Sequence, residues 1–369
     1  MRRPEPLPTI EQIREQLAAA GIDHVGVASA EVLSDAREAI RDRIASGHDD
    51  GMGFTFRNPD RSTDPSRAVE HASSIIVAAR SYLTDDEPAV GTDTPQARVG
   101  RYAWTDHYAP LRAALRDVAR SIRRADHRAV AFADDNSVVD RAVAYRAGLG
   151  WYGKNANLLL PGVGSWFVLG SIITTAEYEP TATVVGDGCG TCRRCLDGCP
   201  TGAIVAPGVI DGGRCLSWIL QKPGSIPDEF RTIIGDRIYG CDDCQDVCPI
   251  TVRLGRRSTV HVDDLSRAEV DVLRLLDADD GWIEQEYAHW YVADRDYRWV
   301  RRNALVVIGN IADPDDARSR AVLARYRSGP DPILAEHAEW AERRLDDRRA
   351  STPTADRHNR TPPLNASHT

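Results

Sequence analysis

The sequence predicts an α+β protein built in three parts. Three observations carry this reading. Helix and strand signals alternate up to about residue 180. All eight cysteines then fall between Cys189 and Cys248, in a stretch with little periodic apolar pattern. From Val262 onward the periodicity is helical. A chain of 369 residues is also too long for one compact core.

In the first part, residues 1–180, Thr9-Ile10-Glu11-Gln12 reads as a capping box. Ile10, Ile13 and Leu17 mark the apolar stripe of the helix that follows, and Gly21 ends it. Strands are expected at His24 to Ala28, Ser74 to Ala79, Ala129 to Ala133 and Trp166 to Thr174. Helices lie between them, including Tyr108 to Arg124, which makes this an α/β-type domain. The second part, residues 181–257, is rich in Gly, Pro and Asp and has a poor core of its own. What its cysteines bind must organise it. In the third part, residues 262–348, helices are expected at Arg298 to Ile311, at Asp315 to Tyr326, and from the Pro330-Asp331-Pro332 turn to Arg344. Short helices joined by Asp-Pro turns make this a HEAT-like helical piece. Residues 349–369 are polar and contain prolines, so a disordered tail is expected.

Composition narrows the function. The net charge of −9 leaves nucleic-acid binding to local basic patches. No apolar run approaches the ~18 residues of a membrane helix. Arg2-Arg3 is followed by no apolar region, so neither a Sec nor a Tat signal is read, and a cytoplasmic protein with reduced thiols is expected. Of 46 basic residues all but Lys154 and Lys222 are arginine, a hint that a compact ammonium matters at those two places.

The cysteines carry the strongest signal. The first motif is Cys189-x2-Cys192-x2-Cys195-x3-Cys199-Pro200. The second is Cys241-x2-Cys244-x3-Cys248-Pro249, with Cys215 well upstream of it. Structural zinc pairs two short Cys or His hooks, which is a different pattern. Two cubane [4Fe–4S] clusters use all eight thiolates. In bacterial two-cluster ferredoxins the cysteine before proline ligates the other cluster. Applied here, cluster 1 takes Cys189, Cys192, Cys195 and Cys248. Cluster 2 takes Cys199, Cys241, Cys244 and, by elimination, Cys215. The second part is therefore read as ferredoxin-like.

Clusters alone would make an electron carrier, but about 180 residues precede them. Within these, Gly148-x4-Gly153-Lys154 nearly matches a phosphate-binding P-loop, yet Asn155 stands where the Mg²⁺-binding hydroxyl belongs. The spacing Gly148-x-Gly150-x-x-Gly153 also fits a dinucleotide fingerprint poorly, because no helix start follows it.

Taken together, Gly148-Leu149-Gly150-Trp151-Tyr152-Gly153-Lys154-Asn155, Gly164-Ser165-Trp166, the first cysteine motif with Thr201-Gly202-Ala203, and Tyr239-Gly240-Cys241-Asp242-Asp243-Cys244-Gln245 resemble epoxyqueuosine reductase. Gly51-Met52 with Arg57, Arg101-Tyr102-Ala103, and Arg302-Asn303-Ala304-Leu305 with Gly309-Asn310 support the resemblance, which runs from about Ile10 to Leu345. It implies a cobalamin enzyme with two [4Fe–4S] clusters that reduces the epoxide of epoxyqueuosine in the tRNA anticodon loop to the alkene of queuosine. The N-terminal part is then a cobalamin-binding catalytic domain.

Site residues follow from the same resemblance. The family's proton donor is the Asp of a V-D-T-A-P segment, which falls on Asp134 in Ala133-Asp134-Asp135-Asn136-Ser137, with Asp135 as its rival. Contacts to the corrin are expected from Arg57, Tyr102, Asp134, Lys154, Asn155, Leu158, Ser165 and Ser217. For the tRNA, Arg298, Arg301 and Arg302 are spaced to share a helix face, and Arg253, Arg256 and Arg257 repeat that spacing. An external donor of flavodoxin or ferredoxin type, a monomeric state and no membrane association complete the expectation. The competing readings are a corrinoid reductive dehalogenase and a ferredoxin-type electron carrier.

Overall fold

The structure, a computed structural model, describes residues 3–84, 93–181, 185–255, 265 and 267–351. The tail from 352 on lies outside these, as do Arg256 and Arg257. The chain divides into two compact units. One is made of Met1–Ala89, Val99–Lys222 and Tyr239–Ala268, and the other of Val90–Arg98, Pro223–Ile238 and Glu269–Thr369.

The first unit is centred on a four-stranded sheet in the spatial order His24–Ser29, Ser74–Ser81, Phe167–Thr174, Ala129–Ala133. Alternation of side chains sends Ile76, Ala78 and Ile172 to one face, where they meet Leu111, Leu115, Val118 and Ile122 of the helix Tyr108–Arg124 together with Ile13 and Leu17 of the helix Ile10–Ala18. Ile75, Val77 and Ile173 go to the other face and meet Ala142, Val143 and Ala144 of the helix Asp140–Arg146. Each fully buried Ile or Val contributes about 1.5–3 kcal/mol, so the two-sided burial anchors the sheet. The capping box forms as the sequence predicts: Thr9 Oγ1 accepts the Gln12 N–H, and Gln12 Oε1 accepts the Thr9 N–H.

The expected α/β-type layer is antiparallel at all three strand pairings. A strand covered on both faces shows the same unbroken apolar run whichever way its neighbours point, so direction was not legible in Ser74 to Ala79.

The second unit holds a small sheet in the order Arg237–Tyr239, Gln96–Val99, Glu269–Asp271, and a set of helices. The helices Arg298–Ile311, Ala317–Arg327 and Pro332–Ser351 lie close to the predicted spans. Aspartates begin them and their neighbours. Asp316 accepts the Arg318 and Ser319 N–H groups, Asp331 accepts those of Ile333 and Leu334, and Asp271 and Asp279 cap two shorter helices. The last helix outruns its expected end at Arg344 because polar contacts hold its final turns. Arg348 donates to the Gly309 and Ala312 carbonyls, and Arg320 pairs with Asp346 at 2.9 Å. Among the described residues no helix is long and apolar enough to cross a membrane.

Candidate active site

Asp134 is the first residue after the strand Ala129–Ala133 and takes a left-handed φ of +55°. Asp and Asn tolerate this region better than most residues. The turn that follows is held by Asp135, whose Oδ1 accepts the Ser137 N–H at 2.8 Å. The two aspartates therefore do different things: Asp135 shapes the loop, and Asp134 is left to present its carboxyl.

The Asp134 side chain reaches solvent on one side, yet the protein packed around it raises the carboxyl above its ordinary value. Arg112 opposes this, while Asp106 and Asp135 add to it. Beside it, Asp140 opens the helix Asp140–Arg146 and accepts a hydrogen bond from Ser171 Oγ at 3.3 Å. Burial pushes Asp140 up to about 8, against the Ser171 bond, and the charges of Asp134 and Asp135 push the same way. Tyr108, also raised by burial, feels both Asp134 and Asp140. Asp140, which holds its proton near neutral pH, and Asp134, raised above its ordinary value, thus share one corner of the unit. Sequence reasoning singled out Asp134 through a resemblance and did not reach its neighbours Asp140, Arg112 and Asp106, because no spacing brings residues of different elements together.

None of the eight cysteines is in a disulfide, and all are partly buried. Burial raises the Cys195 thiol, and Cys189 and Cys248 are among its neighbours. Burial likewise raises Cys244, on which Cys241, Cys215 and Cys199 act, and Cys215, on which Cys199 acts. Cys192 joins the first group through its N–H, which donates to the Cys189 carbonyl at 3.0 Å. Thiols gathered in partly buried groups are a costly arrangement for side chains with no ligand to share and a suitable one for shared ligation of a cationic iron core. Among the described residues no three Cys, His, Asp or Glu side chains converge on a single ion. A cubane needs its four thiolates spread around it, one per iron. Arg141 acts electrostatically on both Asp140 and Cys215, so the acid corner and the second thiol group lie within reach of one guanidinium.

The glycine-rich run folds into a hairpin, with Trp151–Tyr152 paired to Leu158–Leu159. Its glycines are needed for closeness: a Cβ on Gly150 would stand 2.2 Å from the Leu159 carbonyl oxygen. The hairpin tip reaches both cysteine motifs. Lys154 Nζ donates to the Gly190 and Cys192 carbonyls, and Asn155 Nδ2 donates to the Cys244 carbonyl at 3.4 Å. Other expected cofactor residues touch the same segments. Ser165 bonds Thr251 Oγ1 through its N–H and its hydroxyl. The Tyr102 hydroxyl accepts from Gln221 and hydrogen-bonds Ser217, and its ring lies 6.0 Å from that of Tyr239. Leu158 is in the apolar core, and Arg57 is exposed.

The arginines are less uniform than their spacing suggests. Arg253 is exposed and, among the described residues, pairs with no carboxylate. In the second unit Arg298 pairs with Asp296 and Asp331, and Arg301 with Asp280. Arg302 corrects the expectation of a shared RNA-facing surface. It is fully buried, donates to the Gly224 carbonyl and to Asn303, and burial lowers its pKa to about 9. A residue one position past the exposed edge of a helix turns inward, and here its guanidinium meets one backbone carbonyl and the Asn303 side-chain oxygen.

Two groups of thiols, with a carboxylic acid of raised pKa in the same unit, are the arrangement of a two-cluster iron–sulfur protein. Residues 188–251 match the model of the 4Fe-4S double cluster binding domain, and residues 62–135 match the model described as "Epoxyqueuosine reductase QueG, DUF1730". The epoxyqueuosine reductase of Gloeobacter violaceus is 35% identical over 319 residues, covering 83% of this chain and 98% of that protein. A crystal structure of epoxyqueuosine reductase with a tRNA-Tyr epoxyqueuosine-modified stem loop superposes with a TM-score of 0.82 at 30% identity, covering 91% of this chain and 89% of that one. A Bacillus subtilis epoxyqueuosine reductase, solved with its catalytic aspartate loop swung out of the active site, gives 0.81 at 29% identity over 91% and 90%. The chain belongs to the epoxyqueuosine reductase family.

Proposed function

We propose that this chain reduces epoxyqueuosine in the tRNA anticodon loop to queuosine. One epoxide, two electrons and two protons give one alkene and one water. The observation that carries the reading is the union, in a chain similar along most of its length to epoxyqueuosine reductases, of eight cysteines outside any disulfide, in two groups, with an acid of raised pKa.

The clusters supply electrons one at a time. Cys189, Cys192, Cys195 and Cys248 would hold the first, and Cys199, Cys215, Cys241 and Cys244 the second. The family also implies cobalamin, whose low-valent cobalt supplies an electron-rich centre for the epoxide. Of the residues expected to touch it, Arg57 and Asp134 are exposed and Tyr102 and Ser217 half-buried, so these fit a bound group. Lys154 has its donors on the cysteine loop, and Asn155, Leu158 and Ser165 are buried in packing, so they offer a wall. Asp134 gives its proton to the departing oxygen, and Asp140 holds a second proton beside it. Arg253, Arg298 and Arg301 are the candidates for phosphate contact. The enzyme works as a cytoplasmic monomer fed by an external flavodoxin or ferredoxin.

The test is an anaerobic assay on tRNA carrying epoxyqueuosine, with and without cobalamin and a low-potential reductant. Queuosine should form only in the complete mixture. Intact epoxide after loading with both cofactors would overturn the reading, and a corrin-free spectrum would favour a simple electron carrier.

A further inference from the structure

We propose that Lys154 is a positioning residue for the first cluster: its ammonium holds the Gly190–Cys192 turn and places one fixed positive charge beside the cluster that this turn carries. The proposal rests on the two-cluster reading and adds a regulator of one cluster's potential.

The geometry is specific. Lys154 Nζ donates to the Gly190 carbonyl at 2.6 Å and to the Cys192 carbonyl at 2.8 Å. These residues lie inside the first cysteine motif. Among the described residues no carboxylate pairs with Lys154, so its charge is not cancelled locally. The other lysine, Lys222, behaves differently: it pairs with Asp50 at 2.7 Å. In a chain that writes almost every other cation as arginine, a lysine at 154 stands out. Its head bonds two carbonyls of one tight turn, and a guanidinium, which carries the same charge and several donors, can reach both, so Lys154→Arg keeps what the proposal needs.

A second observation comes from the same hairpin. Trp151 is 8% exposed, and its indole Nε1–H is buried without a partner. Its ring edge packs on the backbone beside Cys189: a Cβ on Gly188 would lie 2.5 Å from Trp151 Cζ2 and 3.0 Å from Cε2, the atom bonded to Nε1. Buried donors are nearly always satisfied, and an orphan calls for an acceptor. Cluster or cysteinyl sulfur would be that acceptor. Reduction adds a negative charge to the cluster, so a nearby cation and an N–H donor both favour the reduced state and raise its potential.

The experiment is an EPR-monitored redox titration of the anaerobically reconstituted full chain, with iron measured in parallel, on wild type, Lys154→Gln and Lys154→Arg. Glutamine can still donate to a carbonyl but carries no charge. The expected result is full iron in Lys154→Gln, one midpoint potential shifted negative, the other unmoved, and recovery toward wild type in Lys154→Arg. Two unmoved potentials at full iron would overturn the proposal, as would equal shifts of both. If Lys154→Gln instead loses four irons, Lys154→Arg decides. A retained cluster with near-wild-type potential supports the role, and the same iron loss overturns it. A wild type with two clusters but no activity on tRNA would sink the enzymatic reading and leave this one standing.

Discussion

Asp134 and Asp135 are neighbours in sequence with opposite fates. Asp135 spends its carboxylate on the Ser137 N–H, and asparagine can make the same bond, so Asp135→Asn should leave turnover nearly intact. Asp134→Asn removes the acid, a loss typically worth ~10²–10⁴-fold in rate. Single-turnover conversion of modified tRNA, with cluster and cobalamin content checked by absorption, compares the two; a dead Asp135→Asn beside an active Asp134→Asn would reverse the assignment. Because the Asp134 pKa is raised, wild-type activity should fall as pH rises through that folded-state value, with the acid form active below it. Asp140 gives a stability test. Its carboxyl titrates near 3.8 unfolded and about 8 folded, so the folded state binds the extra proton between these values. Its stabilising contribution is complete below pH 4 and declines as pH rises through 8. Asp140→Asn, which cannot ionise, should therefore gain thermal stability relative to wild type between pH 5.5 and 8.5; a pH-independent difference would mean that Asp140 is not held protonated.

At the scale of elements, strands and helices were legible wherever one physical signal dominated. The capping box at Thr9, the apolar run from Ser74 and the periodicity from Arg298 each gave an element at its observed place. The glycine-rich run matched neither a phosphate loop nor a dinucleotide fingerprint, and what it forms, a hairpin whose glycines serve close packing, was not legible. That role has no signature of its own and imitates a phosphate loop. Gly164, before Ser165 and Trp166, has a φ of +73°, and a Cβ there would meet Thr251 Oγ1 at 2.8 Å and its Cα at 2.9 Å. Thr251 lies in the helix Pro249–Gly255 that follows Cys248. Gly164→Ala should cost about 1–3 kcal/mol through backbone strain and push that helix away. Lower iron occupancy after reconstitution, together with a lower melting temperature, is the expected result. Unchanged iron would show that the helix yields without disturbing Cys248.

Over the whole molecule, cysteine spacing revealed the iron–sulfur chemistry, while the corner of Asp134, Asp140, Arg112 and Asp106 appeared only once the chain was folded. Charge patterns were the least legible, since helical spacing cannot tell the buried Arg302 from the exposed Arg253. Cys215→Ala should lose close to four irons and spare the other four, because Cys215 stands with Cys199, Cys241 and Cys244; full iron content would break that ligand set. The division of the chain adds a consequence for synthesis. Between Cys215 and Cys241 the polypeptide leaves the first unit at Pro223 and returns at Tyr239. With the cysteines shared as proposed, a nascent chain that has emerged as far as Lys222 owns five thiols but four ligands of neither cluster. Both cubanes must wait for the stretch from Cys241 to Cys248, so metal loading is a late event in the life of the chain. A ribosome stalled before that point would release a protein unable to hold a complete cluster of either kind.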